Sequence, residues 1–349
     1  MKRIFAMSPL IRAVVTGGGG FLGSRIVSML LDEGCAVRSF SRHHYPNLSA
    51  RGVTCHVGDL ADASAVSEAL READVVFHVA AHAGMWGDYA RYYATNVVGT
   101  QNVIDACRQN GVKRLVHTST PSVVFGGPHI RNANETVPIA RKHLSHYAST
   151  KAEAERMVIA ANGPDLATVA LRPHTIWGPG DNQIFPRLVE RHFANRLMLI
   201  DRGDNLVDTT YVDNAARAHL DAARQLAPGS PPAGCAYFIS QGDPRHLRDM
   251  LNELMSAAGL PPVKKSIPFS VAYVAACVLE TFYRAFRVTE EPSLTRFLVL
   301  NMARDHYFDI TAARRDLGYN PSISIEEGMQ RLRQALSAEA MVTASASDA

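Results

Sequence analysis

The sequence predicts an α/β fold, a doubly wound parallel sheet with a smaller, interleaved α/β lobe. Three observations lead there. Short β-branched runs alternate with helical patterns over the first half of the chain. A glycine cluster separates the first run from the first helical pattern. The texture then changes after Arg172, where Pro173, Gly178, Pro179, Gly180 and Pro186 interrupt the chain. Strand alternating with helix implies parallel strands covered by helices on both faces.

The strands are expected at 12–16, 36–40, 53–57, 74–79, 114–118 and 168–172, each a run rich in Val, Ile, Thr or Phe. Helical patterns fall between them, to Glu33, over 92–110 and over 147–162. Beyond Arg172 the strands become short and scattered. Residues 207–212, a helix over 213–226 and Tyr237-Phe238-Ile239 read as a return to the first sheet. The expected division is therefore 11–175 with 205–240 as the larger domain, and 176–204 with 241–337 as the lobe. Residues 338–349, small and polar, are expected to be a disordered tail.

Composition narrows the function classes. Lys and Arg total 36 against 33 Asp and Glu in 349 residues, with no run of like charge, so no nucleic-acid partner is implied. The five cysteines (Cys35, Cys55, Cys107, Cys235, Cys277) are odd in number and never in CxxC spacing, which argues against a disulfide framework or a zinc site. His143 and His146 sit three apart but lack an acidic cluster, so no metal is expected. Residues 1–10 lack the apolar run of a signal peptide, and a cytoplasmic location is expected. Residues 267–286 are the most apolar stretch, but Glu280 and Arg284 interrupt it. A substrate-covering or interface helix is the plainer reading; contact with a membrane surface or partner, and a homodimer, also stand as expectations.

Thr16-Gly17-Gly18-Gly19-Gly20-Phe21-Leu22-Gly23 follows the first strand and opens the first helix. Glycines there let the backbone approach a pyrophosphate, whose charge meets free N–H groups at the helix N-terminus. This is the dinucleotide-binding arrangement of the Rossmann type, with Gly17, Gly20, Phe21, Leu22 and Gly23 as the expected cradle. An NAD site expects an acidic residue about 20 positions further on. Here the second strand ends in Ser39-Phe40-Ser41-Arg42, with no carboxylate to repel a 2′-phosphate. Arg42 and Ser41 suit such a phosphate, so NADP(H) is expected ahead of NAD(H). Asp59 and Leu60 are expected to flank the adenine, and Ala80 and Pro173 to complete the cofactor contacts.

Tyr147 and Lys151 stand four residues apart on one helix face. A cation near a phenol stabilises the phenolate and lowers its pKa, so the pair is expected to handle a proton. Thr120 ends the Thr118-Ser119-Thr120 segment on the carboxyl side of the fifth strand, where its hydroxyl can polarise a carbonyl; Ser119 is the reserve. Asn96 carries two readings, an amide holding a water in the proton path or one packing helices.

With these residues the chain resembles the extended short-chain dehydrogenases, and among them the 3β-hydroxysteroid dehydrogenase/isomerase family, over about 12–336. The matching segments are Thr16 to Gly23, the Tyr147/Lys151 pair, Leu171 to Asp181 and Thr210 to Asn214. The resemblance implies a Ser/Thr, Tyr and Lys triad, which falls on Thr120, Tyr147 and Lys151. Thr118 to Phe125, Ala83 to Gly87 and the stretches 294–297 and 306–310 are similar to two groups of relatives, reductases of 2-alkyl-3-oxoalkanoates and sterol-4α-carboxylate 3-dehydrogenases. Both interconvert an alcohol and a ketone β to a carboxyl group on a large apolar skeleton. Arg42 tips the expectation toward NADPH-dependent reduction of such an oxoalkanoate. The alternatives are a 3β-hydroxysteroid or sterol-carboxylate dehydrogenase, an NAD-dependent sugar-nucleotide epimerase, and a protein that only senses NADP. Pro121-Ser122 stands where dehydratases of the extended family carry Asp-Glu, which weakens a sugar-nucleotide reading. Arg187 and Arg141 are candidates to meet a substrate carboxylate.

Overall fold

The computed structural model describes residues 12–286 and 288–347. Seven strands form one sheet in the order Cys235–Ile239, Ala167–Pro173, Arg114–Thr118, Val75–His78, Arg12–Thr16, Ala36–Ser41, Thr54–Val57. Every pairing in it is parallel. Adjacent strand residues point to opposite faces, so Val15 and Val14 belong to different cores. Val15 packs with Ile26, Val27 and Leu30 of helix Phe21–Asp32 and with alanines of helix Val212–Gln225. Val14 packs with Val66, Val103, Ile104 and Val158, from helices on the other face. Two covered faces explain why the strands read as continuous apolar runs.

The chain lays down its first three strands in one direction, then crosses back to Val75–His78 and builds outward the other way. This reversal leaves a crevice at the carboxyl ends of Arg12–Thr16 and Val75–His78, the place where open α/β sheets bind ligands.

The lobe is interleaved, and more deeply than the sequence suggests. Its four-stranded sheet runs Arg245–His246, Leu206–Val207, His306–Phe308, Ile130–Ala133, so a segment from within the larger domain joins it. Of the segments expected to return to the first sheet, Cys235–Ile239 does so, while Leu206–Val207 and Thr210–Tyr211 do not; the latter pairs with Ile176–Trp177. The reason lies in packing: Trp177, Tyr211 and Val212 bury against Phe185, Met250 and Leu251 in the lobe's own core. The helix expected over 92–110 starts earlier, at Tyr89, where Asp88 caps it by accepting from Ala90 N–H (3.1 Å). It then passes through a π-helical turn, Ala94–Val98, before continuing as Gly99–Gln109. The last helix, Ile325–Ser347, takes in residues 338–347 of the expected tail, and 348–349 lie outside the described residues.

Within the apolar stretch, helix Phe269–Ala285 buries Ala272, Ala276 and Glu280. Glu280 is held by Arg296 and Arg284 (2.8 and 3.2 Å). Val271, Val274, Val278 and Phe282 face outward, each at least half exposed, so this helix does present an apolar outer face. No helix among the described residues is long and apolar enough to cross a membrane.

One buried ion pair ties the sheet to helix His146–Ala160. Arg172, on strand Ala167–Pro173, donates through Nε and Nη2 to Glu155 (2.9 and 2.6 Å), and Ser119 Oγ donates to the same carboxylate (2.6 Å). The Arg172 guanidinium also stacks over Phe238, 5.0 Å from the ring centroid. Removing one partner of such a pair strands the other charge in the core. The Arg172→Met protein should therefore be destabilised by about 3–5 kcal/mol in denaturant unfolding; a loss below about 1 kcal/mol would show that the pair does not hold this helix.

Candidate active site

The glycine segment forms a tight cradle at the crevice. Gly17 takes φ of +71°, and a Cβ there would lie 3.0 Å from Ala80 Cα across the strand reversal. At Gly23 a Cβ would fall 2.1 Å from Gly17 carbonyl oxygen, so only glycine lets the helix start beneath the turn. Gly20 N–H donates to Gly17 O (2.9 Å), and helix Phe21–Asp32 has neither a side-chain cap nor an acidic residue in its first turn. Bare N–H groups at that end suit an anion, and the cradle fits a dinucleotide pyrophosphate. Leu22 is buried beneath it.

Around the cradle, Ser39 packs under Gly18, and Ser41 Oγ lies 3.4 Å from Ser39 Oγ. Arg42 is exposed and has no ion-pair partner among the described residues. Its charge reaches the crevice: burial first, then Arg42 and Arg91, hold His82 below the usual histidine range. Asp59 is exposed and accepts from Ala61 N–H (2.9 Å). Leu60 is buried under Gly99, and its carbonyl accepts from Asn102 (2.8 Å), so its side chain serves packing. Ala80 N–H donates to Thr16 Oγ1 (3.2 Å). Pro173 ends its strand beside Ile239. The following His174 turns away toward the lobe, bonding Asp208 through Nδ1 and His306 through Nε2.

Thr120, Tyr147 and Lys151 come together at the carboxyl end of strand Arg114–Thr118. Thr120 is buried, and its Oγ1 accepts from Ser122 N–H (3.2 Å), which fixes the hydroxyl at the start of turn Pro121–Val123. Ser145 caps helix His146–Ala160 by accepting from Ala148 N–H (3.2 Å), placing Tyr147 in its first turn. Burial pushes the Tyr147 phenol up to about 12, while a hydrogen bond with Thr120 offsets part of that rise. Lys151 is 2% exposed, and burial pulls it down to about 7, with Glu155 acting the other way. Its ammonium donates to Thr118 O (2.6 Å) and to His117 Nε2 (3.1 Å). The phenol is thus raised and not lowered as the sequence suggested, because burial outweighs the hydrogen bond with Thr120. At neutral pH it is protonated, the form a proton donor needs.

Asn96 is fully engaged. It accepts from His82 N–H (2.7 Å) and donates to His82 O (3.1 Å) and Thr150 Oγ1 (3.0 Å). The packing reading of this amide fits that geometry: it pins the loop after Val75–His78 to helix His146–Ala160. Ser119 is likewise spent, on Glu155. Of the carboxylate candidates, Arg187 pairs with Glu291 (3.2 Å) and Arg141 is exposed.

The sequence reading missed the buried histidines. Thr16 Oγ1 accepts from Val79 and Ala80 N–H, so its proton goes to His78 Nδ1 (2.9 Å). His78 Nε2–H then donates to Thr100 Oγ1 (3.0 Å), and Thr100 donates to Asn96 O (2.6 Å). His78 is neutral, pushed down to about 3 by burial and Lys151. The signal available was three histidines on strand and helix positions that otherwise read as apolar.

The profile of the 3-beta hydroxysteroid dehydrogenase/isomerase family matches residues 14–270. A Stenotrophomonas maltophilia protein named 2-alkyl-3-oxoalkanoate reductase is 49% identical over 325 residues, 93% of this chain and 98% of that one. A Shewanella oneidensis protein of the same name is 46% identical over 332 residues, covering 93% and 86%. Among solved structures, the Thermus thermophilus UDP-glucose 4-epimerase complex with NAD superposes with a TM-score of 0.71 at 26% identity, covering 94% and 99%.

The cradle makes its own test. Gly23→Ala should weaken dinucleotide binding by about 100-fold, roughly 2.7 kcal/mol, read by fluorescence titration of the reduced cofactor. Unchanged affinity would mean that the pyrophosphate does not lie on this turn.

Proposed function

The chain belongs to the 3-beta hydroxysteroid dehydrogenase/isomerase family and is an NAD(P)-dependent oxidoreductase; on that premise we propose that it reduces 2-alkyl-3-oxoalkanoates to 2-alkyl-3-hydroxyalkanoates with NADPH. The observation that carries the reading is the phenol of Tyr147, hydrogen-bonded with Thr120 beyond the carboxyl end of strand Arg114–Thr118 and one helical turn from Lys151. The two bacterial reductases above support the substrate class. Aromatic pairs between distant segments support a large apolar skeleton: Phe125 meets Phe297, and Trp86 meets Tyr283, both edge-on at 6.1 Å.

When bound, the cofactor supplies the hydride to the β-carbon. Gly17, Gly20 and Gly23 with the N-terminus of helix Phe21–Asp32 hold its pyrophosphate, and Arg42 with Ser41 receives the 2′-phosphate. Thr120 donates a hydrogen bond to the substrate carbonyl, stabilising the oxygen as charge develops. Tyr147 gives its proton to that oxygen. Lys151, one helical turn from the donor and drawn down to about 7 by burial, stabilises in its charged form the phenolate left behind.

Tyr147→Phe should lower kcat for the oxoalkanoate by about 10²–10⁴-fold with an unchanged melting temperature; a variant that keeps full activity would remove Tyr147 from the chemistry. Arg42→Ala should raise KM for NADPH at least about 10-fold, the loss of a charge-assisted bond, while leaving KM for NADH within about threefold. Equal effects on both cofactors would withdraw the 2′-phosphate assignment.

A further inference from the structure

We propose that His117 is a positioning residue for Lys151, its neutral Nε2 fixing the buried ammonium so that a single N–H is left to serve the proton donor. This rests on the role given to Lys151 above and adds a residue that lies outside the triad.

The argument is one of counting. An ammonium carries three N–H bonds. One goes to Thr118 O (2.6 Å) and one to His117 Nε2 (3.1 Å), which leaves one. Because Nε2 accepts, the ring proton sits on Nδ1, and that atom is buried without a hydrogen-bond partner. The two neighbouring histidines differ. His78 is bonded at both nitrogens. His219 is too, donating from Nδ1 to Ala215 O (2.7 Å) and accepting from Thr118 Oγ1 (2.8 Å). His117 occupies a core position between Val116 and Thr118 on a central strand, where an apolar side chain would leave no unpaired donor. A half-satisfied imidazole there has one bond to justify it, and that bond is to Lys151.

The charges facing Lys151 explain why a neutral acceptor is needed. On its own helix are Tyr147 and Glu155; on neighbouring strands are His117, His78 and Arg172; His219 approaches His117 from helix Val212–Gln225. Glu155 is the carboxylate of this group, and Arg172 takes both of its oxygens. Lys151 therefore keeps its charge through the field of Glu155, which Arg172 shares, and meets only neutral acceptors at the two N–H bonds it makes.

The test follows Lys151 directly, by NMR of protein labelled with [13C]lysine at Cε. Six lysines keep the spectrum tractable, and Lys151→Arg assigns the signal. His117→Leu should move the Lys151 titration midpoint down by about one unit or more, the loss of a hydrogen bond to a charged group. His117→Gln, whose amide reaches the Nε2 position, should restore it; His117→Asn, which reaches only to Nδ1, should behave like Leu. In NADPH oxidation assays the alkaline limb of kcat should shift by the same amount, with KM for the carbonyl substrate unchanged. An unmoved midpoint in His117→Leu, or Asn and Gln behaving alike, would overturn the proposal; should Leu fail to fold, the Asn and Gln pair decides. If the wild-type protein does not reduce a 2-alkyl-3-oxoalkanoate, the substrate reading fails while the NMR titration still answers for His117.

Discussion

The division of one buried negative charge governs this site. Glu155 is on the buried side of helix His146–Ala160, and Arg172 and Ser119 hold its carboxylate. That arrangement anchors the helix to two strands, which fixes Tyr147 and Lys151 relative to the crevice. It also leaves Lys151 without an anion of its own. A buried ammonium in that position is pulled down to about 7, where small changes in its neutral acceptors change its protonation. The same burial raises the Tyr147 phenol, so the acid stays protonated while the lysine sits near its transition. A protonated phenol is what the proton donation proposed above requires.

A second constraint joins cofactor cradle and helix. From Thr16, at the end of the first strand, hydrogen bonds run through His78 and Thr100 to Asn96, and from there to Thr150 and His82. Each member is buried or half-buried, and each bond fixes the direction of the next. The π-helical turn places Asn96 where its amide reaches both the loop and the helix. The backbone at Ala80, which crowds Gly17, is thereby held to the same frame as Tyr147.

Much of this was legible in the sequence because it is local. Strands at 12–16 and 114–118 are runs whose side chains alternate between two apolar cores, and the residues alone predict both. The glycine cradle is a contiguous segment, and Tyr147 and Lys151 are one helical turn apart. What was not legible depends on contacts between distant segments. His117 and Lys151 are 34 positions apart, and nothing in the spacing says that a strand histidine points at a helix lysine. The direction of the phenol's shift required knowing how far the fold takes Tyr147 out of water. The lobe was read least well, since its two-residue strands are too short to show a period, and Leu206–Val207 pairs with segments far away in sequence.

The most direct measurement is isotopic. The protein would be given NADPH deuterated at C4 of the nicotinamide and a long-chain 2-alkyl-3-oxoalkanoate, and the product analysed by mass spectrometry. Transfer from one face only, yielding a 2-alkyl-3-hydroxyalkanoate with a single deuterium on C3, is the expected result. Product without deuterium, or no product beside NAD+-linked oxidation of a 3β-hydroxysteroid, would contradict the account.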